Sequence, residues 1–205
     1  AIENNLWVLA DDAYYEIKYD GKSRSIVEIP GMIDRTVILY TFSKKYAMTG
    51  WRVGGSIGPE KIIKIISKLN VNAESCTTHF IQDAMVEALN GDQSGPNEIL
   101  RRLKKRRDVA VSGLNAIDGI EISTPESTFY LFPKVNEIMK RKGFESVEKL
   151  QLGALKNANV SFCTRDHFGR PQQDEVDYYI RFAYSGISAE DIEEGLKKLK
   201  TYFED

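Results

Sequence analysis

Two short, unbroken apolar runs, residues 6–10 (LWVLA) and 36–42 (TVILYTF), constrain the fold of this chain more than any other feature. Runs of this length and character predict strands buried on both faces, the pattern of sheets covered by helices. Helical signals alternate with them. Pro59 opens a segment in which Ile62, Ile63, Ile65, Ile66 and Leu69 form a broad apolar stripe, and proline is favoured at a helix start. Residues 78–91 read as a second helix, stopped by Asn90 and Gly91. The stretch 52–58 (RVGGSIG) reads as a third strand loosened by glycine, and 96–117 as a long charged helix joining two lobes. Past residue 113 the texture changes to β-rich segments (IEIS, TFYLFPKV, NVSFCT, YYIRFAYS) around a helical stretch near 146–157. A last helix follows, with Ser188 as N-cap, Asp191 three residues on in a capping-box pattern, and Ile192, Leu196, Leu199 and Phe203 on one face. The expectation is therefore an α/β chain of two parts, 1–113 and 114–205.

Composition narrows the function. At 205 residues, 42% hydrophobic and 28% charged, the chain has core enough for one or two domains. A formal net charge of −2 argues against a general nucleic-acid binder, and the basic run at 101–108 (RRLKKRRD) reads as the solvated face of a helix. Cys76 and Cys163 are too few and too far apart for a disulfide framework, so reduced thiols of a cytoplasmic protein are expected. His79 and His167 stand apart without metal-ligand spacing, and no metal site is expected. No apolar run approaches membrane-spanning length. The sequence enters a strand almost at once and lacks an initiator methionine, which leads to the expectation that it is a piece of a longer chain.

Ligands of open α/β sheets collect at the carboxyl ends of the strands. The first predicted strand ends in Asp11, with Tyr14 three residues later, and the second ends in Ser43 and Lys44. Each has an ordinary alternative: Asp11 as a cap, Tyr14 as a core aromatic with a wet tip, Lys44 as a surface charge. Delivered to one edge, a carboxylate, a phenol and a lysine suit pyridoxal phosphate. That cofactor needs a lysine for a Schiff base, an acid for its pyridinium nitrogen, and cations or hydroxyls for its phosphate.

The stretch SKKYAMTGWRVG resembles the cofactor-lysine signature of the class I/II aminotransferases, the fold type I pyridoxal-phosphate enzymes. Ser43, Lys44, Ala47, Met48, Gly50, Arg52 and Gly54 meet its positions. VLADDAYYE is similar to the family's Asp-x-x-Tyr strand end, STFYLFPKV to its Gly-Ala-Phe-Tyr segment, and YYIRFAYS to its arginine-bearing strand. The resemblance runs the length of the chain but covers the second half of the family's usual sequence.

It implies part of a mixed-sheet large domain followed by a smaller α+β domain, in a homodimer. Lys44 would bind the cofactor covalently and shift protons; Lys45 is rejected because counting back eight from Arg52 lands on Lys44. Asp11 would keep the ring nitrogen protonated, Tyr14 would donate to the ring oxygen, and Ser43 and Arg52 would bind the phosphate. Arg181 would clamp the substrate carboxylate bidentately. The implied reaction moves an amino group between an α-amino acid and a 2-oxo acid, with the isolated 205 residues inactive. Alternatives are a carbon-sulfur lyase of the same fold and a ligand-sensing domain of a transcription regulator. Ser127 and Thr128 replace Gly-Ala before Phe129 and Tyr130, which is expected to alter substrate fit. CTRDHFG (163–169) stands where the family has Pro-Gly-x-x-Phe-Gly and adds charge there; the polar loop 164–177 leads from it to the strand carrying Arg181.

Overall fold

The computed structural model describes residues 1–170 and 172–205; Pro171, in the polar loop, lies outside the described residues. The chain divides into two compact units, Ala1–Leu100 and Arg101–Asp205, upstream of the boundary expected at Gly113.

In the first unit, β1 (Val8–Asp11) runs parallel to β2 (Thr36–Thr41), and β3 (Gly54–Ile57) runs antiparallel to β2, giving the order β1-β2-β3. The register sets Asp11 beside Leu39 and Thr41 beside Gly54. Two helices follow, α1 (Glu60–Ala73) with Pro59 as its N-cap and α2 (His79–Asn90) ending at Gly91. A small core forms where Phe42, Val53 and Ile81 are buried, with Tyr40, Tyr46, Met48 and Met85 packed around them. The second apolar run gives a central strand with no exposed residue, but the first does not give a strand buried on both faces. Leu9 is 67% exposed, and α1 has no fully buried residue despite its stripe. β1 is an edge strand of a three-stranded sheet, and neither it nor α1 has a complete cover within this unit.

The long helix α3 (Ser94–Asn115) holds the division between the units. Pro96 falls in its first turn, where the missing N–H costs nothing, and Asp92 accepts the Ser94 N–H at 3.0 Å. The basic run within it is not simply a solvated face. Arg107 is 6% exposed and bonds Asp108 and the Pro125 carbonyl (3.1 Å), while Arg106 donates to the Ser185 carbonyl. The buried head of Arg107 thus satisfies a loop carbonyl, that of Pro125.

The second unit has short strands β4 (Tyr130–Leu131), β5 (Cys163–Thr164) and β6 (Ile180–Ala183) in the order β4-β6-β5, both neighbours antiparallel to β6. IEIS is reduced to a bridge between Glu121 and Lys134. Helices α4 (Asn136–Lys142), α5 (Val147–Ala158) and α6 (Ala189–Glu204) bury Ile138, Leu150, Leu199 and Phe203 completely, as the strands bury Leu131 and Ile180. Ser188 caps α6, accepting the Asp191 N–H at 3.0 Å, and its hydroxyl donates to the Asp191 carboxylate at 2.6 Å.

Candidate active site

Three strand ends meet at one edge of the first sheet. Because β1 and β2 are parallel, Asp11 and Ser43-Lys44 leave the sheet on the same side. Because β3 is antiparallel to β2, its beginning lies at that edge too. Backbone bonding tightens the approach: Phe42 N–H donates to the Val53 carbonyl at 3.4 Å, and the Thr41 hydroxyl reaches the same oxygen at 3.3 Å. Arg52, the residue before Val53, is thereby brought beside Ser43.

Each side chain has a defined setting. Asp11 Oδ1 accepts the Ala13 N–H at 3.3 Å, turning the chain so that Tyr14 follows one turn later. Asp12 stays above the usual carboxylate range, pushed there by burial and by the Asp11 charge. Lys44 Nζ lies 5.6 Å from the centroid of the Tyr14 ring. Ser43 is 7% exposed, and its Oγ receives the Thr41 hydroxyl at 2.9 Å. Arg52 is exposed, adopts a left-handed φ of 53°, and donates to the Thr49 carbonyl at 2.9 Å. Gly54 is required by close approach: a side chain there would drive into the Tyr40 carbonyl oxygen.

Lys45 points elsewhere. Its ammonium meets Glu16 Oε1 at 2.5 Å and lies 4.9 Å from the Tyr46 ring centroid. Glu16 also accepts the Tyr40 hydroxyl. Burial pulls the Lys45 pKa down, but hydrogen bonds to Glu16 and Tyr46 outweigh it and hold the group above its ordinary value. Burial, then the bond and charge of Glu16, raise the Tyr40 pKa. The family resemblance points to Lys44 by its count from Arg52; it does not reveal this network, whose members Glu16 and Lys45 are far apart in sequence.

Arg181 belongs to the second unit and has its own surroundings. On β6 it faces Cys163 of β5, and Nη2 approaches the Cys163 sulfur at 3.8 Å. Tyr130 and Phe168 lie against its guanidinium. Neither aromatic was singled out from the sequence; the pairing of β4, β5 and β6 is what assembles them.

A lysine, a carboxylate, a phenol, a buried hydroxyl and an arginine thus lie at one edge of a mixed α/β sheet, groups whose chemistry suits an amine and an anion. The family model "Aminotransferase class I and II" matches residues 1–199, and the chain belongs to that family. The aspartate aminotransferase of Sulfurisphaera tokodaii is 30% identical over 202 residues, covering 98% of this chain and 49% of that protein. Aromatic-amino-acid aminotransferase 2 of Thermococcus litoralis is 32% identical, covering 98% of this chain and 49% of that protein. Among solved structures, the aspartate aminotransferase of Rhizobium meliloti superimposes with a TM-score of 0.87 at 31% identity, over 99% of this chain and 51% of that one. The fold is that of these enzymes. The chain spans about half the length of the relatives it matches.

Proposed function

We propose that this chain supplies the lysine-bearing part of a pyridoxal-phosphate aminotransferase site, which moves an amino group between an α-amino acid and a 2-oxo acid. The convergence of Asp11, Tyr14, Ser43, Lys44 and Arg52 on one sheet edge carries the reading. The donor set fits the cofactor: Lys44 as covalent anchor, Ser43 and Arg52 for a phosphate, Tyr14 for the ring oxygen and Asp11 for the ring nitrogen. When bound, pyridoxal phosphate supplies an electron sink for the carbon bearing the substrate amine. Lys44 would take and return the proton at that carbon as a general base. Asp11 would hold a proton on the ring nitrogen. Arg181 binds the substrate carboxylate, a role its forked N–H geometry suits.

The reading includes a cytoplasmic homodimer. Cys76 and Cys163 are both free thiols, and large apolar side chains of the first unit stand exposed for further protein to cover. Relatives named for aspartate and for aromatic amino acids make those the first donors to try.

The experiment is amino-group exchange between a labelled amino acid and 2-oxoglutarate, in the protein carrying this chain and supplied with cofactor. Exchange abolished by Lys44→Ala supports the reading. Release of ammonia and a 2-oxo acid from a β-substituted amino acid, without exchange, would replace it with the lyase.

A further inference from the structure

Arg181 is flanked by two aromatic rings. Its guanidinium carbon lies 4.4 Å from the Tyr130 ring centroid and 4.3 Å from that of Phe168, distances at which a cation is held by the ring faces. The two rings arrive by different routes. Tyr130 is on β4, paired with Ala183 of β6, and its N–H donates to the Thr128 hydroxyl at 3.3 Å. Thr128 itself holds a φ of 63°, a conformation that a β-branched residue rarely adopts, and its carbonyl accepts the Tyr184 hydroxyl at 3.1 Å. Backbone strain of this kind persists where surroundings enforce it, and here it aims Tyr130.

Phe168 ends the 3-10 turn Arg165–Phe168, and Gly169 follows at a φ of 110°. The turn is tied down by a contact between Thr164 Oγ1 and His167 Nδ1 at 2.9 Å and by the Arg165–Glu175 ion pair at 2.7 Å. Phe132 braces the ring edge-on, with centroids 6.0 Å apart, and itself stacks on Tyr179 at 5.3 Å. A phenylalanine that is 43% exposed would gain little from burial alone, so its bracing has to be explained by what it touches.

The N–H edge is not satisfied by the rings. Arg181 Nε is buried and, among the described residues, finds no acceptor. Nη2 reaches only a sulfur at 3.8 Å, a weak acceptor. A buried donor of this kind is costly unless a ligand satisfies it, and Nε with a neighbouring Nη is a fork that a carboxylate matches with both oxygens.

We infer that Tyr130 and Phe168 are positioning residues that set the plane of the Arg181 guanidinium so that its Nε edge receives a carboxylate. The inference rests on the assignment of Arg181 to the substrate carboxylate above. It makes carboxylate affinity depend on the aromatic faces, and it leaves proton transfer at Lys44 alone.

The test is calorimetric binding of succinate, which has carboxylates but no amine to react, to the cofactor-loaded protein, alongside steady-state kinetics. Phe168→Leu keeps apolar cover and removes the ring face; succinate should bind about threefold to thirtyfold more weakly, KM should rise in parallel, and kcat should stay within about twofold. Phe168→Tyr should restore both constants, and Tyr130→Leu should repeat the loss. Wild-type succinate affinity in Phe168→Leu and Tyr130→Leu, together with loss of binding in Arg181→Ala, would overturn the clamp while the arginine keeps its role. Unchanged binding in Arg181→Ala would remove the carboxylate assignment and the clamp together.

Discussion

Lys45 is joined to Glu16 by an ion pair at 2.5 Å, while its neighbour Lys44 is directed over the Tyr14 ring. Adjacent lysines at a strand end therefore have separate tasks: one binds the turn after β1 to the end of β2, and the other is presented at the sheet edge. Borohydride reduction of the cofactor-loaded protein should fix pyridoxal phosphate on Lys44, seen by peptide mass mapping. Label on Lys45 instead would mean that the Glu16 pair opens in the working protein and that the assignment of the two lysines is reversed.

The same pair has a pH signature. The side chains of Lys45 and Glu16 are 22% and 29% exposed, so removing either partner leaves the other's charge half-buried without its counter-charge. Lys45→Met or Glu16→Gln should cost on the order of 1–3 kcal/mol. The folded pKa of Lys45 is held above its unfolded value, so its contribution is complete below the ordinary lysine pKa and is lost as pH rises through the folded one. The melting-temperature gap between wild type and Lys45→Met should be level from pH 7 to 9 and close above about pH 10.4. A gap that narrows between pH 7 and 9 would show that the pair is not the source.

Asp11→Ala and Arg181→Ala should fail in different ways. Without Asp11 the ring nitrogen loses the charge that keeps it protonated, and kcat should fall with KM little changed. Without Arg181 a charged bidentate contact is lost, worth about 1.5–3 kcal/mol per hydrogen bond, and KM should rise at least tenfold. Matching kinetic profiles for the two variants would contradict these roles.

Much of the candidate site is readable from sequence because its residues are close along the chain. Ser43, Lys44 and Arg52 lie within a single strand-turn-strand unit, and Asp11 and Tyr14 within one turn, so residue spacing determines which side chains share an edge. The helix starts at Pro59 and Ser188 and the stop at Gly91 are legible for the same reason, since capping acts over three or four residues. Burial is not local. An apolar run predicts a strand that wants cover on both faces, but whether cover exists depends on other segments, and Leu9 stands exposed. The surroundings of Arg181 depend on the β4-β6-β5 pairing, which two-residue strands hardly announce. Helix α4 is similarly silent: seven residues soon after Pro133 give too little periodicity to stand out.

Gly54 and Gly55 are neighbours with opposite expected tolerance. A Cβ on Gly54 would collide with the Tyr40 carbonyl, a backbone atom that cannot give way without disturbing the β2–β3 pairing. A Cβ on Gly55 meets nothing within 4 Å. Gly54→Ala should lose roughly 1–3 kcal/mol of stability in urea unfolding and weaken cofactor retention, since Thr41, which pairs with Gly54, also holds Ser43. Gly55→Ala should stay within about 0.5 kcal/mol of wild type. Equal effects would mean that the close approach is relieved by a small strand shift.

Produced by itself, the 205-residue chain should not transaminate and should not remain a dispersed monomer. In the first unit Trp7 is 59% exposed, Leu9 67%, Ile57 59%, Leu69 63% and Phe80 61%, which is far more large apolar surface than a stable monomer usually leaves to water. β1 also offers an unpaired edge for another strand. Lys44 needs only its own amine to capture pyridoxal phosphate, so weak covalent uptake should survive. Turnover requires the reacting groups to be held, and a misplacement of about 1 Å costs on the order of a hundredfold in rate. With so much of its first unit uncovered, the chain alone is not expected to hold them. Sedimentation velocity combined with the exchange assay decides the matter: large or heterogeneous species without exchange are expected. A monodisperse monomer with turnover like that of the full-length relatives would show that the exposed faces need no cover and that the site is complete within these residues.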